Sequence, residues 1–210
     1  MHGALIALAA TIMVSPTDSY TKIEAAQAGD DVVIAPGTYK FLVYLTQKGP
    51  ITIHAQDPTN PPVWDLSGMM LDTAPGSYTA GDRNRGCWQL SGASDITIES
   101  IVFTNCRNSS QNAAGIRYYE GTTGLTIRDC VFRTNDNGLT GGTQNSDATV
   151  EFSEFDSNGN TSASSPTHNI YIYGGRMRCA GRTSTTRCRR RTSTSARRRP
   201  PSSRTGSSTA

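Results

Sequence analysis

Ile96-Thr-Ile-Glu-Ser-Ile-Val-Phe-Thr-Asn-Cys106 returns twice in the chain, as Leu125-Thr-Ile-Arg-Asp-Cys-Val-Phe-Arg-Thr-Asn135 and as Ala148-Thr-Val-Glu-Phe-Ser-Glu-Phe-Asp-Ser-Asn158. Laid over one another without gaps, the copies give the columns Thr97/Thr126/Thr149, Ile98/Ile127/Val150, Ile101/Cys130/Ser153, Phe103/Phe132/Phe155 and Cys106/Asn135/Asn158. Phe103 and Phe132 are 29 residues apart, Phe132 and Phe155 are 23 apart. Periods of this size belong to solenoids. Within each copy apolar residues alternate with polar ones, interrupted once by a short bend, which describes two short strands each with one buried face. Strands this short cannot bury a face alone, so the copies must stack, Phe on Phe and Ile on Ile. A third apolar touch follows each copy after a turn, at Gly115-Ile116, Gly138-Leu139 and Asn169-Ile170-Tyr171. The expected unit is a coil of three strands.

The pattern Ile127, Cys130, Phe132, Asn135, Gly138 resembles one coil of the right-handed parallel β-helix proteins, the pectin-lyase-like superfamily. Ala28-Gly-Asp-Asp-Val-Val-Ile-Ala-Pro-Gly-Thr-Tyr39 is similar to the opening coil of many secreted members, and Ile51-Thr-Ile-His-Ala with Val63-Trp-Asp-Leu-Ser-Gly68 to the next. The resemblance covers roughly residues 11 to 175. It implies an all-β solenoid of about six coils and an extracellular or cell-envelope setting. It further implies a polysaccharide-lyase-like protein acting on or binding an acidic polysaccharide, the alternative being a non-catalytic carbohydrate-binding or surface module. Fold alone does not decide between them.

Composition agrees with turn-rich β structure: 210 residues, 35% hydrophobic, 20 Gly. The net charge of +3 conceals two unlike pieces. Residues 176–210 carry 11 of the 20 basic residues, all Arg, and none of the 17 acidic ones, so the body is at −8 and the tail at +11. From Arg178 onward only Arg, Ser, Thr, Ala, Gly, Pro and Cys occur. All are encoded by codons with G or C in second place, the alphabet of a shifted frame in a GC-rich gene. The reading is a β-helix domain over 1–175 followed by a disordered, out-of-frame Arg/Ser/Thr-rich tail. Such a tail binds nucleic acid only through phosphates, without sequence preference. The last coil, uncapped, is expected to self-associate. No stretch is long and apolar enough to span a bilayer. Residues 4–10 are taken as strand rather than signal segment, lacking a basic leader. The five cysteines show no zinc or redox spacing, and no disulfide framework is expected; Cys106 and Cys130 read as small core residues.

In chain order, Thr11–Ser15 reads as a strand. A capping helix over 17–28 follows, with N-cap oxygens from Thr17, Asp18 and Ser19 and a stop at Gly29. Asp31–Ala35, Tyr39–Leu45 and Ile51–Ala55 read as strands, and 57–62 and 72–86 as loops. The longer loop carries Arg83 and Arg85, candidate substrate contacts at the rim of a groove.

Chemistry candidates are few. Glu99, Arg128 and Glu151 fall in one outward column, with successive coils about 4.8 Å apart. Arg128 is the candidate for neutralising or deprotonating a uronate, with the two glutamates as substrate contacts, against the plainer reading of a cross-strand charge ladder. In the segment 167–173, alternation turns Ile170 and Ile172 inward and leaves Asn169, Tyr171 and Tyr173 to contact sugar. His168 and Tyr171 are the acid–base candidates there. Asp156-x-Asn158-x-Asn160 begins like a calcium loop and then departs from it, lacking the Gly and the final Glu. Calcium is therefore a weak expectation, and turn-column packing of Asn158 with Asn135 the stronger one. His54 faces outward with no evident partner.

Overall fold

The computed structural model describes residues 8–69, 86–108, 111–119, 121–143, 145–159 and 167–181. In chain order the elements are β1 (Thr11–Val14), α1 (Thr21–Glu24), β2 (Asp31–Ile34), β3 (Thr38–Tyr39), β4 (Val43–Thr46), β5 (Ile51–Ala55), β6 (Val63–Asp65), β7 (Gly86–Ser91), β8 (Ile96–Glu99), β9 (Val102–Thr104), β10 (Ala114–Tyr118), β11 (Leu125–Arg128), β12 (Val131–Arg133), β13 (Asn137–Gly141), β14 (Asp147–Glu151), β15 (Glu154–Asp156), β16 (Ile170–Ile172) and β17 (Arg176–Ala180). Every pairing is parallel, and the strands fall into three sheets. The first runs β1-β2-β5-β8-β11-β14-β17, the second β3-β6-β9-β12-β15, the third β4-β7-β10-β13-β16. Each coil contributes one strand to each sheet, with five full coils from β2 to β16 and a single first-sheet strand at either end. This is a right-handed parallel β-helix, the hand that parallel crossovers take.

The columns expected from the repeat are the observed registers. Thr97, Thr126 and Thr149 are neighbours in the first sheet, as are Ile98, Ile127 and Val150. Phe103, Phe132 and Phe155 are neighbours in the second. Their rings stack nearly parallel, with centroids 5.1 and 4.6 Å apart. Tyr39 and Trp64 extend the same file downward, stacked at 4.4 Å, and Trp88 enters edge-on between Trp64 and Phe103. All six rings are buried. The bends between strands recur in register: Ser100, Asp129 and Phe152 after the first sheet, Asn105, Thr134 and Ser157 after the second, all at positive φ. Those after the first sheet turn the chain inside a space too short for a regular loop.

Beside the second bend an amide ladder satisfies the corner. Asn135 accepts from Cys106 N (2.9 Å) and donates to Phe103 O (3.0 Å), and Asn158 donates to Phe132 O (2.8 Å). Both amide atoms of Asn158 are used in this ladder. Among the described residues no three His, Cys, Asp or Glu side chains gather as a metal cluster.

Several expectations are corrected. The helix is four residues long rather than 17–28, and Tyr20 at its N-cap makes no side-chain cap bond. Asp18 instead holds the turn after β1, accepting from Ser15 N (2.7 Å) and Lys22 Nζ (3.0 Å), which keeps its carboxyl below the usual range. The strand expected over 39–45 is split into β3 and β4 by a coil corner at 40–42. The cysteines do form a bridge: Cys87 and Cys106 are disulfide-bonded, their Cα atoms 5.8 Å apart. Cys87 on β7 and the corner residue Cys106 after β9 are both fully buried. Cys130 stays a buried free thiol, and burial pushes it up to about 12. Finally, order does not stop at Gly175. β17 pairs with all of β14, Met177 beside Ala148 and Cys179 beside Val150, because this stretch still alternates correctly. The remainder of the tail, 182–210, and residues Arg83 and Arg85 lie outside the described residues.

Candidate functional site

The first sheet carries an outward file of charge. His54, Glu99, Arg128 and Glu151 are register neighbours on β5, β8, β11 and β14. Arg128 Nε donates to Glu151 Oε2 at 2.9 Å, and its Nη1 lies 3.5 Å from Glu99 Oε2. The hydrogen bond and charge of Glu151 raise the guanidinium's pKa further, so Arg128 is a fixed cation and a poor base. His54, expected to stand alone, has a partner: Nε2 is 3.1 Å from Asp31 Oδ1, and Nδ1 is 2.8 Å from Ala55 O. Each charge in this file faces an opposite or polar neighbour already.

The third sheet is different. Val43, Trp88, Ile116, Leu139 and Ile170 form one inward column, and Leu45, Leu90, Tyr118, Gly141 and Ile172 another. Between them lies the outward file Tyr44, Gln89, Arg117, Thr140, Tyr171. Tyr119 and Tyr173, one residue past the second inward column, point to the same side. Tyr171 and Tyr173 are 43% and 54% exposed, their rings 4.8 Å apart and nearly perpendicular. His168 stacks on Tyr171 at 5.0 Å. Arg117 Cζ sits 5.1 Å from the Tyr119 ring centroid and 6.0 Å from that of Tyr173. The Tyr119 hydroxyl donates to Gln89 Oε1 at 3.1 Å. The result is an aromatic platform around an arginine.

The chain also places its long connections here. Between the second and third sheets run residues 66–85, 105–113, 134–136 and 157–169, whereas the first and second sheets are joined by 56–62, 100–101, 129–130 and 152–153 in the same coils. Three of these four connections into the leading edge of the third sheet are long.

The predicted site residues divide between faces. Arg128, Glu99 and Glu151 are on the first sheet and His168, Tyr171 and Tyr173 on the third, so they form no single constellation. Tyr171 and Tyr173 face outward as expected. Asn169 does not: its Oδ1 accepts from Asn158 Nδ2 at 2.8 Å, making it the top of the amide ladder. The strand bends there, as at Gly138 below, where an added Cβ would meet Phe155 and the Asn169 carbonyl. Sequence reading missed Arg117, Gln89 and Tyr119. The signal was present for Arg117, since it stands between two inward residues, Ile116 and Tyr118.

No family model matches the chain, and no curated protein matches it in sequence. Among solved structures it is similar to the pectin methylesterase PemA from Erwinia chrysanthemi, at 15% identity and TM-score 0.47, over 72% of this chain and 49% of that one. It is similar also to pectate lyase Pel9A, at 16% identity and TM-score 0.45, over 84% of this chain and 62% of that one. A pectin methylesterase mutant in complex with a hexasaccharide matches at 12% identity and TM-score 0.41, over 84% of this chain and 71% of that one. The chain thus spans about half the length of PemA. Its own three stacked parallel sheets, with their recurring bends and amide ladder, make it a right-handed parallel β-helix.

Proposed function

We propose that this chain binds a polysaccharide on the outer face of its third sheet. The observation that supports it most is the adjacent pair of exposed tyrosines, Tyr171 and Tyr173, held on one rigid strand with His168 stacked behind. Exposed rings fixed at right angles on a flat sheet offer two apolar surfaces with polar tips, the chemistry that sugar rings need. The buried Cys87–Cys106 bridge suits an oxidising compartment, hence an extracellular or envelope location. The lyase reading adds turnover: His168 would take the proton alpha to a uronate carboxylate while the bond to the glycosidic oxygen at the β carbon breaks, leaving a double bond in the sugar and an oxygen that takes a proton from water.

Affinity electrophoresis through gels containing polygalacturonate or dextran tests binding. Retardation that disappears in Tyr171→Ala/Tyr173→Ala, with unchanged thermal midpoint, supports the proposal. Equal mobility of wild type and variant in every gel overturns it. Appearance of unsaturated uronate, lost in His168→Ala, adds catalysis; binding without product assigns a module.

A further inference from the structure

Tyr119, Gly142 and Tyr173 are successive positions of one file, each following a strand of the third sheet, since Tyr118 pairs with Gly141 and Gly141 with Ile172. Only glycine fits the middle position: φ there is +79°, and a Cβ would lie 2.5 Å from the Gly174 carbonyl oxygen and 2.9 Å from Ile172 Cγ2. The two tyrosines are therefore two coils apart, roughly 9 to 10 Å by strand spacing, with no side chain of their own file between them. Rings so separated cannot brace each other.

Arg117 reaches into that gap. Its Cζ lies 5.1 Å from the Tyr119 ring centroid and 6.0 Å from that of Tyr173, and Nη2 donates to the Tyr173 hydroxyl at 3.4 Å. The residue is only 6% exposed, and no carboxylate among the described residues pairs with it. A buried cation without a counter-charge is costly, so the negative ring faces are the partners left to offset it. A planar guanidinium can lie against two rings at once, which a compact ammonium does poorly. Tyr119 is itself pinned, its hydroxyl donating to Gln89 Oε1 at 3.1 Å, while Tyr173 is the half-exposed wall that needs holding. The geometry assigns Arg117 as a positioning residue, which ties the Tyr173 ring to the pinned Tyr119 and sets the platform before any sugar arrives. This rests on the polysaccharide reading above. A ring already immobilised gives up less freedom on binding. A cation engaged by the rings adds nothing for acidic chains over neutral ones.

The test reads the ring and the binding separately, in wild type, Arg117→Met and Arg117→Lys. Ring motion is followed by fluorine relaxation of the Tyr173 signal in fluorotyrosine-labelled protein without ligand, the signal being assigned with Tyr173→Phe. Binding is measured with neutral dextran and with polygalacturonate. In Arg117→Met the Tyr173 ring is expected to become more mobile with no fall in thermal midpoint, and affinity for whichever polymers the wild type binds to drop by roughly three- to tenfold. Arg117→Lys should fall between the two on both measures. A Tyr173 signal that relaxes alike in wild type and Arg117→Met overturns the assignment, whatever the polymers do. A loss of affinity confined to polygalacturonate, in a wild type that binds both, also overturns it, because the arginine would then touch the ligand itself. If the wild type binds no polymer but the ring still loosens in Arg117→Met, the polysaccharide reading fails and the positioning role stands.

Discussion

Two outward files of side chains, built by the same stacking, end in opposite electrostatic states. On the first sheet Arg128 is held between Glu99 and Glu151, with His54 on Asp31 below, so every charge is answered within the protein. On the third sheet Arg117 lies deeper, is flanked by Gln89 and Thr140, and is answered by tyrosine rings and one long hydrogen bond. The first arrangement completes itself at assembly. The second leaves capacity for something outside the chain. An arginine in an outward column is thus no guide to function until its neighbours one coil up and one coil down are known.

The strongest perturbation removes what both files stand on. Phe132→Ala opens a cavity in the ring stack and is expected to cost about 4 kcal/mol, read as a large fall in the denaturant midpoint with both faces lost together; an unchanged midpoint would show the stack is not the core. Next, Cys87→Ser/Cys106→Ser separates the faces. The bridge closes a loop of sequence separation 19 that ends on the third sheet, so its removal should cost about 3 kcal/mol. Hydrogen exchange should then accelerate in β7 and β10 ahead of β8 and β11, and uniform acceleration would contradict a local staple.

The two arginines then give the sharpest contrast. Arg117→Met replaces an uncompensated buried charge with an apolar stem and should leave the free protein as stable or more stable, by about 1 kcal/mol. A clear loss of thermal stability would show that Arg117 is a structural cation. Arg128→Met breaks pairs that are partly exposed to water and should cost less than about 1 kcal/mol, mostly at low salt. No effect on polymer binding is expected from it, and a binding defect would return the first sheet to consideration as the site.

Much of this was legible in the sequence because the repeat is strict where the core is strict. Phe103, Phe132 and Phe155 line up without gaps, and the structure keeps that register. The charge column on the first sheet was legible for the same reason. What escaped depends on departures from alternation. Asn169 looked outward by counting from Ile170, but the strand bends there and two consecutive residues turn in. Cys87 lies on a third-sheet strand and Cys106 at the corner after the second sheet, so simple column counting did not foresee their pairing. Arg117 was overlooked because its coil was read only for its apolar touch at Ile116. The extent of order past Gly175 was missed because the odd alphabet of the tail drew more weight than the spacing of Met177 and Cys179, which keeps them in register with Ala148 and Val150 and packs Met177 against the core.

The uneven corners carry a consequence for how such a protein can change. Three successive corners after the first sheet are only two residues long, with Ser100, Asp129 and Phe152 at positive φ, yet the corner below them spans 56–62 and the strands on either side of it keep register. The connections into the third sheet differ in length from coil to coil, 105–113 against 134–136, while the coils above and below stay in register. Descent by insertion and deletion can therefore proceed at the corners while the strands keep register, and at the edge beside the tyrosines it can revise what is recognised without renegotiating how the chain folds.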